Sequence, residues 1–164
     1  MSEANHLADA LVGWLSDPDN GWFTSFVEAI KGLTDEQAAE IPSAGFNCIW
    51  AVLNHMSYCQ EYVLHLLRGE SEDTMEREGK KDWQPIVRPY EEQAWRADCE
   101  HLLALNKELS QVVAFFSDEE LAKPYASGKA PRYQIIQGII AHNCYHTNEV
   151  ISIRHMLGYW LEKT

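Results

Sequence analysis

The sequence contains no apolar run of membrane-spanning length and no C-x-x-C pair. It has few helix breakers, with 9 Gly and 6 Pro in 164 residues, and only 13 Lys and Arg against 25 Asp and Glu. Each scarcity excludes something. Without a run of about 20 apolar residues the chain is not expected to cross or rest in a membrane. A formal net charge of −12 argues against duplex DNA, RNA or anionic lipid as partners, because phosphate binding depends on Lys and Arg. The four cysteines, Cys48, Cys59, Cys99 and Cys144, lie scattered in apolar, helix-like contexts, which suits free thiols in a reducing compartment better than a disulfide framework. The opening "MSEANHLADALVGWLSD" is acidic where a signal peptide would be cationic, so a cytoplasmic location is expected.

What is present is an ordinary globular composition, 46% apolar and 23% charged, in a chain sized for one well-buried core. A single domain over residues 1–164 is the working expectation. Long segments repeat their apolar residues at helical spacing and none of comparable length alternates with period two, so the fold is expected to be all-α. The first segment, about Ala4 to Leu33, is interrupted by "SDPDNG", where Pro18 and Gly21 bend or split it. Thr34 with Gln37 three residues later has the form of a capping box. A second helix is expected from about Asn47 to Leu67, ended by Gly69. Residues 70–89 are polar and broken by Gly79, Pro85 and Pro89, and read as a long crossover loop. A third helix is expected from about Tyr90 to Phe116, then a capped turn at Ser117, the loop "KPYASGKAPR", and a last helix from about Tyr133 to Leu161. Four long helices with at least one long connection predict a four-helix bundle that is not a simple up-and-down array.

Two stripes carry the chemistry. In the last helix Ile135, Ile139, His142, His146, Glu149 and Ile153 recur every three or four residues and share one face. In the second, Cys48, Val52, His55, Cys59, Tyr62 and Leu66 do the same. His142 and His146, at i and i+4, stand one turn apart and can reach one ion, and His55 could close a triad from the neighbouring helix. Three protein donors leave coordination positions open for water or substrate, as catalytic metal sites require. On spacing alone, a metal triad and a set of hydrogen-bonded core histidines stand as alternatives. Glu149 is read as a fourth ligand, a general base, an acceptor behind His146, or a carboxylate at the bundle rim. Cys59, one turn after His55, fits best as a small core residue. His6, His65, His101 and His155 read as surface or packing residues.

The stretches "PSAGFNCIWAVLNHMSYCQEYVL", "KKDWQP" and "GIIAHNCYHTNEVISIRHMLGYW", in that order and spacing, resemble the DinB-like (DinB/YfiT) superfamily of helical bundles over nearly the whole chain. The resemblance implies a four-helix bundle in which three histidines, here His55, His142 and His146, bind one divalent metal, nickel or zinc first and manganese or iron otherwise. It implies a small-molecule substrate, a low-molecular-weight thiol among the candidates, and a homodimer. The sequence departs from the family at Thr147-Asn148-Glu149, where many relatives carry Gly then Gln. That departure leaves the ligands intact and bears on the chemistry around them.

The leading expectation is a metal-dependent enzyme of S-transferase or hydrolase type, its metal activating a thiol or water. The alternative is a non-catalytic metal-binding interaction or stress-response bundle. A zincin protease is excluded because Asn143 stands where H-E-x-x-H needs its Glu. A ferritin-like di-iron centre is excluded because the only Glu-x-x-His spacing is Glu3 to His6.

Overall fold

A computed structural model describes residues 2–19, 22–125 and 130–161. Among them the regular structure is helical: α1 (Glu3–Ser16), α2 (Phe26–Ile30), α3 (Asp35–Ala38), α4 (Ile49–Leu67), α5 (Thr74–Arg77), α6 (Glu92–Ala114), α7 (Asp118–Ala122) and α8 (Arg132–Met156). The four long helices α1, α4, α6 and α8 pack on one another. This is the all-α bundle expected, with short helices added in the connections.

Local chemistry sets most of the boundaries. Thr34 Oγ1 accepts from the Gln37 backbone N–H at 3.2 Å while Gln37 Oε1 accepts from the Thr34 N–H at 3.1 Å, which starts α3. Ser117 and Glu120 form the same box at α7. α4 begins at Ile49, two residues later than its apolar pattern suggests. Cys48 occupies the cap in extended conformation, its Sγ accepting from the Ala51 N–H at 3.4 Å. The stretch read as one interrupted segment from Ala4 is two helices, α1 and α2, and α5 interrupts the crossover read as loop. The "KPYASGKAPR" loop is pinched where Pro124 pairs with Pro131. Its residues 126–129 lie outside the described residues.

The last helix corrects the expectation more sharply, ending at Met156 rather than near Leu161. Gly158 turns the chain with φ +82°, and the Tyr159 N–H reaches back to the Arg154 carbonyl at 2.9 Å. Arg154, 8% exposed, locks this end: its Nη1 donates to the carbonyls of Ala29 and Lys31, both at 2.8 Å, and its Nε to that of Tyr159 at 2.6 Å. The aromatic run "GYWL" continues the apolar pattern but not the helix.

Two apolar clusters fix the helix directions. Residues Ile49 to Met56 of α4 share one cluster with Trp95 and Leu102 of α6 and with Val150 and Ile153 of α8. Val63 to Leu67 share the other with Leu105 to Val113 and with Ile136 to Ile140. So α4 and α6 run the same way, and α8 and α1 run against them. A parallel pair needs a connection that travels back along a helix about 28 Å long, and residues 68–91 provide it. This is why the bundle is not up-and-down, and why a polar arm crosses the α4–α8 side.

Candidate metal centre

The two histidine stripes converge. His55 of α4 is 8% exposed and His146 of α8 6%, and His142 is partly buried one turn from His146. His55 Nε2 lies 3.1 Å from His142 Nε2, and one nitrogen from each of the three rings falls within 4.8 Å of the others. Two imidazole nitrogens bound to one tetrahedral ion at 2.0–2.1 Å would be separated by about 3.3 Å, so the spacing suits a shared cation. Helix geometry explains half of this: the i and i+4 residues on α8 meet edge-on, with ring centroids 4.3 Å apart. The other half is tertiary, since His55 arrives only because α4 and α8 pack side by side.

The outward ring nitrogens are held in place. His146 Nδ1 donates to Glu149 Oε2 at 2.7 Å, one helical turn on, and His55 Nδ1 pairs with Asp82 Oδ1. Fixing Nδ1–H on a carboxylate selects the tautomer whose Nε2 lone pair points inward, the arrangement metal-binding histidines share. Burial, reinforced by the neighbouring His146 and His55 rings, pushes the His142 imidazole down to about 4. Burial also lowers His146, against the opposing pull of Glu149. Both rings are therefore neutral near pH 7, the state a cation needs. Three imidazoles turned on one another present ring nitrogens that a divalent ion would satisfy together, so the donor set fits such a group.

Glu149 thus stands behind His146. Cys59 Sγ lies 3.8 Å from His55 Nε2, and burial, then the Asp82 charge, pushes its thiol up to about 12, so without an ion it stays protonated. His65 bonds Glu70 Oε2 at 2.7 Å and His155 stacks on Trp160 at 4.5 Å, away from the triad. His65 also groups with Glu61 and Glu78, but Lys80 already bridges those two carboxylates.

Two residues of the site escaped the helical reading. Asp82 and Trp83 lie on the crossover arm. The Trp83 indole stacks on the His55 ring with centroids 4.1 Å apart and planes 11° from parallel, and meets His146 edge-on at 6.3 Å. Asp82 has a second exposure, as part of the wall of an open cleft of about 240 Å³ that it shares with Tyr58, Lys80, Lys81, Asp98 and His101. The sole signal for this pair was a tryptophan inside an otherwise polar loop, "KKDWQP".

Bundle and site together define a helical protein able to hold a cation between two of its long helices through three imidazoles. The chain belongs to the DinB superfamily, whose family model matches residues 22–150, a span that includes His55, Asp82, His142, His146 and Glu149. No curated protein matches it. No helix among the described residues is long and apolar enough to cross a membrane.

Proposed function

We propose that this chain is a metal-dependent enzyme in which His55, His142 and His146 hold one divalent cation, and that the bound ion serves a small-molecule substrate. The observation that carries the reading is the convergence of three imidazoles, one ring nitrogen from each lying within 4.8 Å of the others. Imidazole donors suit nickel and zinc best, with manganese and iron as weaker candidates. When bound, such an ion lowers the pKa of a coordinated water or thiol and so supplies a nucleophile at neutral pH.

The chain's own residues do the rest. Asp82 and Glu149 keep the Nδ1 protons of His55 and His146 and so hold both rings in the ligating tautomer. Trp83 covers the His55 face and excludes water from that side. The polar cleft beside Asp82 offers a small charged substrate an approach. A low-molecular-weight thiol is the substrate we favour, in S-transfer, with water and hydrolysis as the second chemistry. A homodimer in the cytoplasm is the setting we expect.

The test begins with metal analysis of protein purified without an affinity tag, followed by chelator-competition titrations with nickel and zinc. One equivalent is expected, lost in His55→Ala, His142→Ala and His146→Ala. Wild-type affinity in folded His142→Ala protein would refute the site. A loaded protein that turns over neither thiol nor ester substrates, yet melts at higher temperature with metal, would instead identify a non-catalytic metal-binding bundle.

A further inference from the structure

Three of the long helices each bury a carboxamide that the three-histidine reading does not use. Gln60 of α4, Asn106 of α6 and Asn143 of α8 are 0%, 1% and 4% exposed. Neither the nitrogen nor the oxygen of any of these three side-chain amides has a hydrogen-bond partner among the described residues. Gln60 falls between Met56 of one cluster and Val63 of the other, and Asn143 between Ile140 and Val150. Asn106 follows Leu105, where α6 passes from the first cluster into the second. His142, next to Asn143 in the chain, has an Nδ1 that is likewise buried and has no hydrogen-bond partner among the described residues. The Asn143 side chain lies near enough to the His142 ring to favour its protonated form, yet the two make no hydrogen bond of acceptable geometry.

Buried carboxamides are hydrogen-bonded in folded proteins, because leaving a donor or acceptor bare forfeits its hydration with no return. The chemistry of the occupant follows from what an amide offers, two N–H donors and a carbonyl acceptor. A cation would satisfy the carbonyls and oppose the NH2 groups, an anion would do the reverse, and an apolar molecule would satisfy neither. Water alone both donates and accepts at this scale, and a chain of this length holds on the order of six buried waters by the usual frequency. The histidines supply an independent reason. His55 and His146 each place Nδ1 on a carboxylate, but His142 does not. Ligating histidines donate that proton to a carboxylate, a carbonyl or a water.

We propose that ordered internal waters hydrate the buried amides of Gln60, Asn106 and Asn143, and that one of them accepts the Nδ1 proton of His142. The third histidine of the site is then oriented by buried water where the other two are oriented by carboxylates. Only the His142 link rests on the proposed metal site, and the hydration of the amides stands without it.

The experiment uses metal-free full-length protein, so failure to bind metal and failure of this proposal give different results. Oxygen-17 relaxation dispersion counts long-lived internal waters in solution, and a crystal structure at high resolution places them. Waters are expected within hydrogen-bond distance of all three amides and of His142 Nδ1, with a lower count in the Gln60→Met/Asn106→Leu double variant. Amides that pack dry or turn to bond one another overturn the proposal, as does an unchanged count in a folded double variant. Hydrated amides with His142 Nδ1 bonded to a protein group overturn its link to the metal site. Should the double variant fail to fold, the wild-type water positions decide the matter alone.

Discussion

Replacing Asp82 by Asn tests the crossover arm, because Asn keeps an acceptor near His55 Nδ1 and removes the charge. Partners behind a metal-bound histidine typically account for 10- to 100-fold in affinity, equivalent to about 1.4–2.7 kcal/mol. The structure places Asp82 near the lower end. Its side chain is 45% exposed, so solvent screens the interaction, while His55 at 11% is also clamped by Trp83 and keeps much of its orientation without help. We expect Asp82→Asn to weaken zinc or nickel binding about 10-fold and Asp82→Ala somewhat more. Competition against a chromophoric chelator at pH 7.5 measures this directly, and nitrogen-15 shifts of the His55 ring should show a mixture of tautomers in the variants. Unchanged affinity and an unchanged tautomer would refute the orienting role. A loss as complete as that of His55→Ala would refute it the other way, by making Asp82 a ligand.

Three further outcomes follow from other parts of the molecule. His142 is held at about 4, below its ordinary 6.5, so the unfolded chain takes up a proton before the folded one does. Stability of the metal-free protein should therefore fall as pH drops from about 6.5 to about 4 and be unaffected by this group below that. The shift corresponds to at most about 3 kcal/mol, or about 2 after screening at the ring's exposed edge, and urea midpoints of wild type and His142→Gln across that range should differ accordingly. Arg154→Met leaves the carbonyls of Ala29, Lys31 and Tyr159 without their donor and should cost about 2–4 kcal/mol in urea unfolding. Gly158→Ala meets no neighbouring atom but forces Ala to φ +82°, so thermal unfolding should report a loss of about 1–2 kcal/mol from backbone strain alone.

The family assignment rests on the family model's match to residues 22–150, and the three histidines within that span, His55, His142 and His146, are legible in the sequence from their helical spacing. Periodicity placed each histidine on the inward face of its helix, because 3.6 residues per turn is a local property. The caps at Thr34 and Ser117 were equally local, each a side chain reaching three residues along its own chain. The end of α8 shows where such reading fails: "MLGYWL" keeps an apolar pattern past Met156, but Gly158 and the grip of Arg154 on Ala29 and Lys31 stop the helix. Arg154 had no visible role in the sequence, since two of its three carbonyl partners, Ala29 and Lys31, lie more than 120 residues away.

Helix content, the two histidine stripes and the i, i+4 pair are thus written into the chain itself, because they depend on contacts within a turn or two. Tertiary structure alone decided that His55 meets His142 at 3.1 Å, that Asp82 and Trp83 close over it, and that the amides of Gln60, Asn106 and Asn143 are buried. The physical reason is the parallel pairing of α4 and α6. It obliges residues 68–91 to return along the bundle, and a loop without periodicity gives no sign, beyond the lone tryptophan of "KKDWQP", of which side chains it will carry past the three histidines.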